Sequence, residues 1–147
     1  MAKTYSPLPL EQSKYANSYR EKIDFSFGNF YIFDDYVVGE VAEGIHFNWD
    51  KAKLIIEAVY NYFNDREIKV SYVSNRIHSY SVQPNDWIQF FKERHNIKAV
   101  AVVSHNEKGL MSVVLEKIFS KAPIRKFREL DKAVDWILTN KTEKVSL

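Results

Sequence analysis

Two aromatic-rich segments near the start of the chain alternate in the way that β-strands do. Residues 25–33 predict one strand and Tyr36–Val41 a second, with aspartates at 34–35 as a turn signal between them. A connection this short implies an antiparallel hairpin. Gly39 interrupts the second strand, which indicates a bulge or a point of close packing.

Apolar residues at helical spacing follow the two predicted strands. Residues 49–63 place apolar side chains along one face, and Asn48 is suited to cap the start of this helix. Pro84 suits the first turn of another helix, because a missing N–H would be unpaired there anyway. In all, helices are predicted at residues 49–63, 84–95, 110–119 and 131–138, the last capped by Asp131.

Three further strands separate these helices. Residues 68–73 form the third strand, Ile97–Val103 reads as a buried parallel strand, and Ile124–Phe127 reads as a short charged edge strand. The order β-β-α-β-α-β-α-β-α predicts an α/β sandwich, with a mixed, mostly parallel sheet of about five strands and about four helices.

The chain is predicted to form one domain with two appendages. Residues 1–24 contain Pro7 and Pro9 and no sustained period, so we expect a mobile or loosely docked N-terminal extension. Residues 25–139 form the domain, and residues 140–147 a polar C-terminal tail. No internal repeat divides the body.

Composition narrows the class of function. The 147 residues include 46% hydrophobic and 15% aromatic ones, which favours a packed core. A net charge of +2 does not indicate a nucleic-acid binder, and the lack of cysteine excludes disulfides and thiolate chemistry. The sequence shows no signal peptide and no apolar run of membrane-spanning length, so a soluble, cytoplasmic protein is expected.

Four segments resemble a known family. They are residues 72–76 (YVSNR), 80–84 (YSVQP), 99–103 (AVAVV) and 127–138 (FRELDKAVDWIL). Over about residues 25–138 the chain resembles the STAS fold of the SpoIIAA-like antagonists of anti-sigma factors. It is more closely similar to small STAS/SEC14-type proteins of the Bacteroidetes.

The resemblance implies a functional surface in the loop after the third strand. In the antagonists a Ser or Thr in an acidic, glycine-containing turn there accepts a phosphate. Here the turn holds Ser79 and Ser81 as possible phosphoacceptors, but no Asp precedes either and no Gly follows. The location of the surface carries over, whereas the switch does not.

The first hypothesis is therefore a non-enzymatic protein-interaction or regulatory module with an unknown protein partner. The loops at residues 74–83 and 104–108 follow two strands; if these strands are neighbours, side chains of both loops could lie around one shallow surface, namely those of Arg76, His78, Ser79, Ser81, His105 and Glu107. The residues predicted to bind the partner are Ser74, Asn75, Arg76, Ser79, Tyr80 and Ser81. The alternative is structural: the polar side chains satisfy the turn, and Arg76 pairs with a carboxylate.

Two other classes of function stay open. Aromatic side chains in the predicted helices suggest a binder of a small apolar or lipid-like ligand, although such spacing also describes an ordinary core. An enzyme is the third class, but the sequence has no nucleophile elbow, phosphate loop or dinucleotide motif. Its four histidines lack metal-ligand spacing, so no catalytic residue, metal or cofactor is predicted. The sequence leaves the oligomeric state open.

Overall fold

The structure, a computed structural model, describes residues 7–78, 80–82, 97–105 and 124–145, with the side chains of all these residues except 82 and 140–145. Its strands are β1 (Glu21–Phe25), β2 (Gly28–Ile32), β3 (Tyr36–Val41), β4 (His46–Phe47), β5 (Val70–Asn75), β6 (Ser81–Val82), β7 (Ile97–Val103) and β8 (Ile124–Phe127). Its helices in the described ranges are α1 (Trp49–Phe63), α2 (Leu130–Val145) and a short 3-10 helix at Leu10–Gln12.

The main sheet is mixed, as predicted, and has the order β1-β2-β3-β5-β7-β8. Strands β1, β2 and β3 pair antiparallel, whereas β3, β5, β7 and β8 run parallel to one another. The predicted hairpin is confirmed as β2 and β3. The predicted number of strands is wrong, because this sheet has six, and two of its five pairings are antiparallel. Strands β4 and β6 form a separate parallel pair.

Helix α1 is confirmed where helical spacing predicted it. Asn48 caps its start, since the Asn48 side-chain oxygen accepts a hydrogen bond from the Lys51 N–H at 3.1 Å. Helix α2 is also confirmed but continues to Val145, so the segment from residue 140 is helical in the described part. The predicted helices at 84–95 and 110–119 lie outside the described residues.

The core lies on the two faces of the main sheet. Helix α1 covers one face, here called the α1 face, where its Ile55 and Val59 are buried against strands β2 and β3. Helix α2 covers the opposite face, the α2 face. Its buried residues there are Leu130, Ala133, Val134 and Ile137.

The N-terminal extension is packed on the domain from residue 7 onward, contrary to the prediction of a loosely docked segment. Leu10 has no exposed surface and belongs to the core of the α2 face. The rings of Tyr15 and Tyr19 pack against the same core. Residues 21–25 then form β1, an additional strand of the sheet. Leu10 holds this segment because a buried leucine stabilises by about 1.5–3 kcal/mol relative to an exposed one.

Gly39 is a point of close packing and not a bulge. The register continues through it, pairing Gly39 with Phe30 on one side and Ser74 on the other. A Cβ at this position would overlap the hydroxyl of Tyr72 and lie 2.8 Å from the Phe30 ring. The missing side chain is therefore what lets the Tyr72 ring cross β3.

Candidate functional site at the carboxyl ends of the parallel strands

The strands β3, β5 and β7 end next to one another at one edge of the main sheet. Gly39 of β3 is in register with Ser74 of β5, and Asn75 of β5 is in register with Val103 of β7. Glu40, the residue after Gly39, therefore lies beside Asn75. Parallel strands place ligand-binding groups at this kind of edge.

Glu40 and Asn75 form a buried polar pair that holds the N-terminal segment. The Glu40 side chain is 5% exposed and Asn75 has no exposed surface. One Glu40 carboxylate oxygen accepts hydrogen bonds from the Leu10 N–H at 2.7 Å and from Asn75 Nδ2 at 2.9 Å. Asn75 Nδ2 also donates to the carbonyl oxygen of Leu8 at 3.1 Å. These contacts join positions 30 or more residues apart in the sequence.

Burial raises the pKa of Glu40, because the charged carboxylate loses its hydration. The hydrogen bonds from Leu10 and Asn75 oppose this rise, since they favour the charged form. The carboxyl group is thus occupied by structural contacts and shielded from solvent. Its neighbour Asn75 keeps a buried Oδ1 that has no hydrogen-bond partner among the described residues.

The loop after β5, residues 76–80, is called the β5 loop below. Within it the Arg76 guanidinium lies 4.1 Å above the centre of the Tyr80 ring, and Arg76 Nη2 donates to the Tyr80 carbonyl at 3.2 Å. The Tyr80 hydroxyl lies 3.1 Å from Ser74 Oγ, and the edge of the ring meets Phe47 with centroids 6.4 Å apart. The aromatic ring therefore fixes where the cation lies.

Arg76 retains unused donor capacity. Within the described ranges its buried Nη1 has no hydrogen-bond acceptor, and no carboxylate there forms an ion pair with Arg76. An unpaired buried donor costs about 1–3 kcal/mol. Among the described residues, Arg76 therefore lacks the carboxylate partner that the structural alternative predicts.

One histidine, His78, belongs to the β5 loop, and another, His46, lies beside its end. His46 Nδ1 and Ser81 Oγ are 2.7 Å apart, where β4 pairs with β6. His78 Nδ1 lies 3.7 Å from a carboxylate oxygen of Glu43, and both side chains are exposed. The His46–Ser81 contact links β6, which follows the β5 loop, to the segment before α1. A third histidine, His105, contacts the Arg128 carbonyl at 2.9 Å and not the β5 loop.

The structure divides the predicted partner-binding residues by burial. Arg76 and Tyr80 are half-buried and Ser81 is exposed. Ser74, at 5% exposure, and Asn75 are buried. The expectation that Asn75 is presented to a partner is therefore incorrect, because its amide group is enclosed by the N-terminal segment. Two predicted positions, Ser79 and Glu107, lie outside the described residues.

Glu40 and His46 belong to this edge, although neither was among the predicted site residues. A signal for Glu40 was present, because Tyr36, Val38 and Glu40 alternate onto one face of an otherwise apolar strand. A charged residue on that face points into the core. No local signal marks His46, whose partner Ser81 is 35 residues away.

Within the described residues, no group of three or more acidic or histidine side chains is arranged to hold a metal ion. None of the helices in those ranges is both long and apolar enough to cross a membrane. Comparison with protein-family models, with curated proteins and with solved structures finds no match to this chain.

Proposed function

We propose that the chain is a non-enzymatic, cytoplasmic interaction or regulatory module of STAS/SpoIIAA type that recognises a protein partner through the β5 loop. The observation that carries this proposal is the Arg76 guanidinium, which is stacked on Tyr80 without a carboxylate partner in the described ranges. Arginine and tyrosine are the residue types that most often anchor protein interfaces.

The arrangement suits recognition because the cation is already ordered. Stacking on Tyr80 restricts the rotamers of Arg76, so less side-chain entropy remains to be lost on binding. The unpaired Nη1 gives Arg76 an energetic reason to turn towards an oxygen acceptor that a partner presents. A carboxylate is the best acceptor, since it can bind a guanidinium through two parallel hydrogen bonds. We therefore expect an acidic segment on the partner.

Ser81 supplies a site where this contact could be regulated. Its side chain is exposed, and its Oγ contacts His46 at 2.7 Å. A phosphate on Ser81 would add about −1.5 to −2 charges next to the β5 loop and would compete with an acidic partner for Arg76. Intact-mass analysis of protein from its native host tests this step, and an unmodified mass under all growth conditions contradicts it.

The interaction test compares two arginine–tyrosine pairs of the same protein. Arg66 lies over the Tyr60 ring at 4.9 Å, but its guanidinium is paired with Glu57 at 2.7 Å. In cross-linking and capture from the native host, R76A/Y80A should lose a specific set of proteins that both wild type and R66A/Y60A retain.

Three further results complete this test. R76K should retain only part of the binding, because lysine keeps the charge but not the planar fork. Circular dichroism should show that R76A/Y80A remains folded. A partner set that is identical for wild type and folded R76A/Y80A refutes the proposal.

A further inference from the structure

The outer edge of β1 is available for strand pairing. In the described ranges β1 has a partner strand on one side only, namely β2. One hydrogen bond shows which residues of β2 bond to β3 and which bond to β1: the Ala42 N–H donates to the Phe27 carbonyl at 2.9 Å. Odd-numbered residues of β2 therefore bond towards β3 and even-numbered ones towards β1.

This alternation along β2 determines which main-chain groups of β1 point away from the sheet. Gly28, Phe30 and Ile32 are in register with residues 25, 23 and 21, so these three positions of β1 bond to β2. The N–H and C=O groups of Lys22 and Asp24 consequently point away from the sheet, and no main-chain bond to them is found in the described part of the chain. Two donors and two acceptors are thus presented along the edge.

The sequence of β1 is self-complementary in charge. If a second β1 pairs antiparallel about Ile23, Lys22 lies directly opposite Asp24 of the second copy, and Asp24 lies opposite its Lys22. These are the residues whose main-chain groups point outward, so each cross-strand pair is a hydrogen-bonded one. Charges of one sign would guard this edge against pairing. Opposite charges placed symmetrically about Ile23 favour it.

The three central positions of the paired strands match on both faces of the sheet. Lys22 and Asp24 lie on the α2 face, where Lys22 Nζ is 3.8 Å from the Asp24 carboxylate of the same strand and 3.2 Å from that of Glu11. Ile23 lies on the α1 face, partly buried in the apolar cluster that includes Ile55. In the antiparallel pair Ile23 lies opposite Ile23 of the second copy. The apolar clusters on the α1 faces of the two copies then become continuous.

We propose that β1 pairs with β1 of a second copy of this chain, giving a two-fold dimer with a continuous sheet of twelve strands, six from each copy. Four main-chain hydrogen bonds and two Lys22–Asp24 pairs join the copies. A pair of five-residue strands covers less surface than a standard interface of about 1,600 Å², so the dimer is weak and depends on concentration. The inference is independent of the β5 loop.

The test is a charge exchange followed by sedimentation velocity at low salt, at protein concentrations from about 10 μM to 500 μM, a range suited to a weak dimer. Wild type should shift from monomer to dimer across this range. K22E and D24K each place like charges opposite one another at both symmetric positions, and each should raise the dissociation constant about tenfold or more.

Mixing the two variants decides the mechanism. In an equimolar mixture Glu at position 22 of one chain meets Lys at position 24 of the other, and the native Asp24 meets the native Lys22. The mixture should therefore form heterodimers, and the double exchange K22E/D24K should form homodimers again. Such recovery also shows that the single variants are folded, although K22E loses the contact with Glu11.

The matched control for K22E is K69E, at an exposed lysine outside the strands, which changes the net charge by the same amount as K22E. K69E should dimerise like wild type. A wild type that stays monomeric throughout the range overturns the proposal. Single variants that dimerise normally, a mixture that does not recover, or a K69E variant that also loses the dimer would overturn it equally.

Discussion

Leu10 tests whether the N-terminal segment is an integral part of the domain. The side chain has no exposed surface and lies in the core of the α2 face with Val38 and Val134. Leu10→Ala removes three carbon atoms, which is worth about 2.4 kcal/mol at about 0.8 kcal/mol per buried CH₂. The cavity left behind adds to this loss, so the free energy of unfolding should fall by about 2.5–5 kcal/mol.

Leu8 provides the matched control. It lies two residues earlier and is 50% exposed, and its hydrogen bond with Asn75 uses the main-chain carbonyl, which alanine keeps. Leu8→Ala should therefore change the free energy of unfolding by less than about 0.5 kcal/mol. Both variants keep the Leu10 N–H bond to Glu40, so their difference isolates the burial of one side chain.

Urea unfolding followed by tryptophan fluorescence and circular dichroism measures both variants, and linear extrapolation gives the free energies. Limited proteolysis at residues 7–20 adds a local measurement, because weaker docking of this segment exposes it to cleavage without global unfolding. Equal stabilities of the Leu8 and Leu10 variants, with equal cleavage rates, would refute the docked segment and support a loosely held extension.

Three smaller predictions concern stability. Burial raises the pKa of Glu40, so the charged carboxylate at pH 7 makes the folded state less stable than a neutral side chain would. Glu40→Gln should therefore have a higher free energy of unfolding than wild type at pH 7. Urea titrations at several pH values should show this difference shrinking as the pH falls towards 4.5, because Glu40 of the folded wild type then becomes protonated. Gly39→Ala should cost about 1–3 kcal/mol by overlap with the Tyr72 hydroxyl, and Tyr72→Phe in the same background should recover part of it; no recovery would contradict the overlap. Asn48→Ala should cost about 1 kcal/mol and lower the helical circular dichroism signal, since the cap on the Lys51 N–H is lost; unchanged stability would contradict this role.

The elements that the sequence predicts well are those whose signal is local. Helix α1 shows its cap and its apolar spacing within 16 consecutive residues, Asn48 and Trp49–Phe63. Helix α2 shows its apolar spacing from Leu130 to Ile137, but it begins at Leu130, so the predicted cap Asp131 lies in its first turn. Strand β7 is apolar and buried from Ala99 to Val103, as expected for a strand with both faces covered. In each case the burial that selects the residues follows the period of the element itself.

The features that escaped prediction depend on distant partners. Strand β1 alternates as a strand does, but its charged positions Lys22 and Asp24 lower its apolar content, and only its pairing with β2 makes it part of the sheet. The burial of Leu10 depends on strands far along the chain, and its N–H bonds to Glu40, 30 residues away. No window of local sequence contains both members of such contacts.

The end of β5 shows why consecutive residues of one loop need separate tests. Side chains alternate between the faces of a strand, so Asn75 points to the α2 face and holds Leu8, while Arg76 contacts Tyr80, which packs on the α1 face. A loss of partner binding in Asn75→Ala would therefore report release of the N-terminal segment as readily as loss of a contact. Arg76 and Tyr80 can be changed without touching the Glu40–Asn75 pair. They are the positions at which recognition and folding can be measured apart.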